Sequence, residues 1–142
     1  MIGFSVAVSG MNAADRRVDV AAANIVNALD TVPHRKEPVQ PVGGVAAAPP
    51  KDDGLYRPVD VWQSTVEGGG TKAQDVPRDP GRTTQYQPDN PQADQQGLVD
   101  MPRIDIASEL VDTILAQHAY EAAIKAVQTR DQMLGTAIDA RS

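Results

Sequence analysis

The chain contains no cysteine, and only one tryptophan, one phenylalanine and three tyrosines among its 142 residues. Without thiols it has neither disulfides nor thiolate metal sites. The redox compartment stays open, because cysteine-free chains occur on both sides of a membrane. So few large rings cannot fill a compact core of the usual kind; alanine dominates instead and suits close approach of helices. No uninterrupted apolar run nears the ~20 residues of a membrane span. The formal net charge is −6, with both signs interspersed and no cluster of Lys and Arg, which argues against nucleic acid as a partner. The mildly apolar start, Met1 to Gly10, has no cationic segment before it and no cleavage pattern after it. Taken alone, it is expected to be cytoplasmic or exported without a cleaved signal.

Catalytic signals are also missing. His34 and His118 lie far apart in sequence, and no HExxH or paired His and carboxylates at metal spacing is present. His118, among apolar positions, is expected to be a hydrogen-bonded packing residue. Asp52-Asp53 before Gly54 resembles a turn and lacks the regular oxygen ligands and distant Glu of a calcium loop. Gly68-Gly69-Gly70 is followed by Thr-Lys and a strand pattern rather than a helix, so it reads as a hairpin tip and not a phosphate cradle. None of the five serines has a base beside it or a nucleophile-elbow frame. Asp112, Glu121 and Asp131 are expected along a solvated face. The expectation is a protein without enzymatic activity, cofactor or bound metal.

What is present is a division into three. All eleven prolines fall between Pro33 and Pro102, as do eight of the eleven glycines. The chain is therefore written as helix, irregular middle and helix, over residues 1–30, 31–103 and 104–142. In the first helix Phe4, Val8, Met11, Val18, Ala22, Ile25 and Leu29 follow alternating steps of four and three, with Asp15 inside the seam. Asp15 is expected to be solvated, the alternative being a basic partner on a neighbour. Asn12, Arg16, Asp19 and Ala23 take the opposite side, and Asn27, Asp30 and Pro33 end the element.

The last third, Ile104 to Ile138, has no proline and one glycine. One apolar row is Val111, Leu115, Ala119, Ala122, Ala126 and Met133; beside it runs a second, Leu110, Ile114, Tyr120, Ile124, Val127, Leu134 and Ile138. Such a helix, about 50 Å long at 1.5 Å per residue, carries more apolar surface than one partner covers. Asp105 or Ser108 can cap its start. Between the helices, Pro33 to Gly54 reads as loop. Leu55 to Trp62 and Thr71 to Val76 read as a hairpin, Thr83 to Gln87 can add a third extended piece, and Gln92 to Pro102 reads as a linker. This β module has too few apolar residues to be stable far from the helices.

Three segments carry a resemblance. Ser9-Gly-Met-Asn-Ala-Ala-Asp-Arg-Arg-Val-Asp-Val-Ala-Ala-Ala-Asn-Ile-Val-Asn27 is similar to the SGL-x-A-x-x-x-R-LDV-x-ANNIAN signature of bacterial flagellar rod and hook proteins. Asn90-Pro-Gln-Ala-Asp94 with Gly97-Leu-Val and Pro102 resembles the HPDAD-x-x-GYV-x-x-PN segment of the family's C-type proximal rod members. Glu109-Leu-Val-Asp112 and His118-Ala-Tyr-Glu-Ala122 resemble its EMVD and RAYEAN. The chain departs from the pattern at Ala23-Asn24, where the family has a double Asn, at Leu29 to Pro33, and at Gly97-Leu98-Val99.

The resemblance implies a mainly α fold: two long terminal helices packed as an antiparallel coiled coil, with a small β-hairpin module and an irregular Pro/Gly-rich middle segment. It implies a structural subunit of the proximal rod, exported by the flagellar type III apparatus without a cleaved signal and assembled helically into a hollow periplasmic shaft that transmits torque. Its partners would be other rod subunits and copies of itself, with the membrane-ring base or a surrounding periplasmic ring beside the β module. The packing residues are then Phe4, Val8, Met11, Val18, Ile25 and Leu29 on the first helix. On the last they are Leu110, Val111, Ile114, Leu115, Ala122, Ile124, Val127, Met133, Leu134 and Ile138. A soluble coiled-coil adaptor or export chaperone is the competing reading, and a hydrolase a remote one.

Overall fold

The computed structural model describes residues 2–34 and 54–139. The loop expected between Pro33 and Gly54 lies outside them except at its ends. Helix α1 spans Ile2–Asn27 and helix α2 spans Ile106–Asp139. Between them come β1 (Val32–Pro33), β2 (Val59–Thr65), β3 (Thr71–Pro77), β4 (Arg82–Tyr86) and β5 (Leu98–Pro102). The expected pair of helices with small antiparallel sheets is what the chain builds.

Of the two candidate caps for α2, Asp105 is the one used. Its carboxylate accepts from the Ala107 N–H at 3.1 Å and from the Ser108 hydroxyl at 2.7 Å, bonds that satisfy the otherwise unpaired start of a helix. They hold the Asp105 carboxyl below the usual carboxylate range, the Ser108 bond contributing most.

The two helices lie side by side and run in opposite directions. Asn24 meets Glu109 and Arg17 meets Asp112; a Cβ built on Gly10 would lie 4.0 Å from Ala123, and Gly3 faces Arg130. The contact face is made of small side chains. Ala14 and Ala21 are buried on α1, Ala28 just past its end, and Ala116 is wholly buried on α2. Half-buried Tyr120, Ala123 and Val127 continue the α2 stripe. From Glu109 through Thr113, Ala116, Tyr120, Ala123 and Val127 to Arg130 the stripe steps by four and three, the cadence of an antiparallel seam. Beyond Arg130, residues 131–139 of α2 extend about 13 Å farther at 1.5 Å per residue.

The hairpin forms where expected, with Val59 opposite Pro77 and Thr65 opposite Thr71. Its tip uses Gly68, Gly69 and Gly70, all at φ between 91° and 115°, a region that side chains with a Cβ avoid. Rather than standing free, the hairpin lies along α1. Thr71 N–H donates to the Ser9 hydroxyl at 3.0 Å near the tip, and Val59 O accepts from the Asn24 amide at 3.0 Å at the base. Between them Arg16 Nε donates to Asp75 at 2.9 Å. That bond holds the Asp75 carboxyl below its ordinary range.

One expectation about the middle needs correction. The Gln92 to Pro102 linker ends in β5, the central strand of a three-stranded antiparallel sheet in the order β1-β5-β4. The third extended piece, seen as β4, pairs with it from Arg82–Pro102 to Tyr86–Leu98. Val99, Asp100, Met101 and Pro102 are buried. Asp100 is satisfied inside the sheet by the Thr84 hydroxyl at 2.7 Å, His34 Nδ1 at 2.8 Å and Arg82 at 3.4 Å.

Candidate functional site: a buried polar clamp and an uncovered apolar face

Asn24 sits in α1 among alanines, a poor place for an amide on propensity alone. Here the amide is wholly buried and fully bonded. Its nitrogen donates to Glu109 Oε2 at 3.1 Å and to Val59 O at 3.0 Å. Its oxygen accepts from the Tyr56 hydroxyl at 3.0 Å and from Val59 N–H at 3.4 Å. Two donor and two acceptor positions are the whole capacity of an amide. One side chain thus ties α1, the base of the hairpin and α2 together.

Glu109, also buried, accepts from Arg78 at 2.9 Å on its other oxygen. Arg78 directly follows β3; it also pairs with Asp60 and donates to Arg103 O at 3.2 Å. These carboxylates, Asp60 foremost, raise the guanidinium's pKa further above its already high value. Burial, with the Glu109 charge adding to it, pushes the Tyr56 hydroxyl up, so it stays a donor to Asn24. Sequence reasoning assigned no role to these groups, although Asn24 and Glu109 lie in segments that carry the family resemblance. The available signal was an amide flanked by Ala and Ile inside a helix, a residue that needs partners if buried.

Asp112, expected along a solvated face, keeps a side chain 51% exposed and also pairs with Arg17 at 2.6 Å across the helix contact. His118 is exposed rather than packed. A groove of about 220 Å³ between the helices and β2 is lined by Arg17, Val20, Glu109 and Asp112 among others. It holds carboxylates already bonded to arginines and no nucleophile with a base beside it. Among the described residues no group of three or more His, Cys, Asp or Glu is placed to hold a metal. No helix among them is long and apolar enough to cross a membrane.

The apolar rows fall as follows. On α2, Leu110, Val111, Ile114 and Leu115 are all more than half exposed, as are Met133 at 66% and Leu134. Ala122 is exposed, and Ile124 and Val127 are half-buried. The side chain of Ile138 lies outside the described residues. On α1, Val8, Met11, Val18 and Ile25 are half-buried, while Phe4 is 56% exposed and Leu29, just past the helix, 77%. Within one chain Val111, Leu115, Ala122 and Met133 therefore stay exposed and do not pack on α1. Glu109, Ala116, Ala123 and Arg130 face α1, because small side chains allow the closer approach, and the larger row points away. At 3.6 residues per turn Leu115 and Val111 lie about 100° and 140° around the helix from Ala116. Val26, Trp62 and Val76 add further exposed apolar surface on α1 and the hairpin.

Comparison with known proteins bears on both features. A family model described as "Flagella basal body rod protein" matches residues 4–32, and one described as "Flagellar basal body rod FlgEFG protein C-terminal" matches residues 95–140. These spans contain Asn24 and Glu109, the two ends of the clamp. The flagellar basal-body rod protein FlgC of Escherichia coli O6:H1 is 32% identical over 136 residues, covering 92% of this chain and 90% of that protein. FlgC of Yersinia enterocolitica is 31% identical with the same coverage. A rod protein of another type, FlgG of Borreliella burgdorferi, is 51% identical over 43 residues, 30% of this chain and 16% of its own length. The matches at both helices and the near full-length similarity to FlgC lead to one conclusion: this chain belongs to the flagellar basal-body rod protein family, as a divergent FlgC-like member.

Proposed function

We propose that the chain is a structural subunit of the proximal part of the flagellar rod, which packs helically with other rod subunits and transmits torque without catalysing a reaction. The observation that carries this reading is the apolar face of α2 turned away from α1. Four adjacent large side chains, Leu110, Val111, Ile114 and Leu115, are each at least 51% exposed. Contiguous exposed apolar surface of this kind marks an interaction site, and here it lies along a rod of two helices. In this reading α1 and α2 form the antiparallel coiled coil of the shaft, and the face left open is covered by neighbouring subunits. Contacts repeated between unlike surfaces do not close and so extend into a filament. The hairpin, with Trp62 and Val76 outward, lies on the outer side, against adjacent subunits or a surrounding ring. Export through the flagellar type III apparatus without a cleaved signal and a periplasmic position complete the proposal.

The test combines location with a charge. The wild-type chain should co-purify with isolated basal bodies. Val111→Asp or Leu115→Asp should abolish swimming by blocking incorporation, since burying an unpaired carboxylate is strongly disfavoured. The soluble chain should keep its stability within about 0.5 kcal/mol, because both sites are exposed before assembly. Normal swimming by either variant would overturn the interface assignment.

A further inference from the structure

Resting on the rod reading, we propose what covers the outer face of α2: the outer flank of α1 from a second copy of this chain, one heptad out of step with the pairing inside each chain. Two rows with the same cadence lie outside that pairing, the α2 row exposed and the α1 row half-buried to exposed. The α1 row from Phe4 to Leu29 steps by four and three without a break, Asp15 included. The α2 row runs through Val111, Leu115, His118, Ala122 and Lys125 with the same steps. Neither row forms the contact between α1 and α2 of one chain, whose register brings Asn24 level with Glu109 and Gly10 level with Ala123.

Copies stacked along a shaft by translation and a small rotation keep one polarity. The second copy's α1 must therefore run antiparallel to α2, as each chain's own α1 does. Sliding the two rows past one another in steps of seven gives few registers. One places Ile25 opposite Leu115, Val18 opposite Ala122 and Asp15 opposite Lys125. Relative to the pairing within a chain it is displaced by seven residues, about 10 Å. With no displacement, Asp15 would meet His118 and the Lys125 ammonium would meet Val8, an apolar partner for a charge. Asp15 and Lys125 are both exposed, and among the described residues neither has an ion-pair partner. The α1 row has one polar position, Asp15, and the α2 row two, His118 and Lys125; the displaced register sets Lys125 against Asp15 and leaves His118 against the small Ala22. A charged pair at a seam position fixes register in the way polar seam residues do.

The chain has no cysteine, so single replacements report on one contact at a time. Ala22 and His118 would face each other in the displaced register, and both are exposed. Chains carrying Ala22→Cys and chains carrying His118→Cys, produced together in cells lacking the wild type, should yield a disulfide-linked dimer when isolated basal bodies are mildly oxidised. The pair Ala22→Cys with Val111→Cys, which matches the undisplaced register, should yield none. In a second arm, Asp15→Lys or Lys125→Asp alone should lower incorporation about fivefold, the scale of one ion pair. Both changes in one chain should restore it. Cross-linking of the Val111→Cys pair instead, or of neither pair while the chains are present in basal bodies, would overturn this register and leave the rod reading intact. Absence of the wild-type chain from basal bodies would overturn both.

Discussion

Replacing Asn24 by alanine should be the most damaging single change to the folded chain. The amide gives two hydrogen bonds and receives two, and its partners are the Val59 backbone, the Tyr56 hydroxyl and Glu109. Alanine leaves these groups facing a small void. A buried polar group without a partner costs about 1–3 kcal/mol. Tyr56 is only half-buried and can turn to water, and Glu109 keeps Arg78. The two Val59 groups and one Glu109 oxygen therefore dominate, for a sum of at least about 3 kcal/mol. Against a total of about 5–15 kcal/mol for an ordinary domain, that loss shifts the urea midpoint of the purified chain strongly, read by circular dichroism. Asn24→Asp separates bonding from shape. It keeps the volume and both acceptor bonds but removes both donors and sets a carboxylate against Glu109. Asn24→Asp should therefore be at least as destabilising as the alanine variant, and Glu109→Gln in the same chain should recover part of the loss. A loss below about 1 kcal/mol for Asn24→Ala, or a neutral Asn24→Asp, would refute the clamp.

Three further outcomes follow from the same structure. Ala116 is wholly buried where the helices come closest, so Ala116→Leu should force them apart and cost about 1–3 kcal/mol or more, seen as a lower melting temperature; an unchanged one would contradict the small-residue seam. The Asp105 carboxyl is held below its ordinary value by bonds it accepts only in the folded chain. Its contribution is therefore complete above the unfolded carboxylate pKa of about 3.9 and is lost as pH falls through the lower folded value. Asp105→Asn, which caps without ionising, should flatten the acid limb of a stability–pH curve, and an identical limb would reject the cap. Finally, isolated amphipathic helices gain stability mainly by packing, so the dilute chain should show less far-UV helical signal per residue than the assembled rod; equal signals would count against assembly-coupled ordering.

Of the competing readings, a hydrolase finds no support in the groove at the clamp, whose carboxylates are bonded to arginines. An adaptor or chaperone would not require near full-length similarity to FlgC or matches to rod-family models at both helices.

The amino-acid order alone determined the two helices, the hairpin and the family. Proline confined to the middle, apolar residues recurring every three or four positions at either end, and the Gly68–Gly70 tip are local signals, and local sterics decide them. Tertiary structure alone decided which stripe of α2 meets α1. With apolar residues around most of its circumference, α2 offers several faces, and the face chosen is the one whose small side chains let two backbones come nearest. The same holds for β5, read as a linker until β1 and β4 supplied partners from distant parts of the chain. It holds too for Asn24, whose four bonds reach residues 32 to 85 positions away, a distance that no periodicity in the sequence can report.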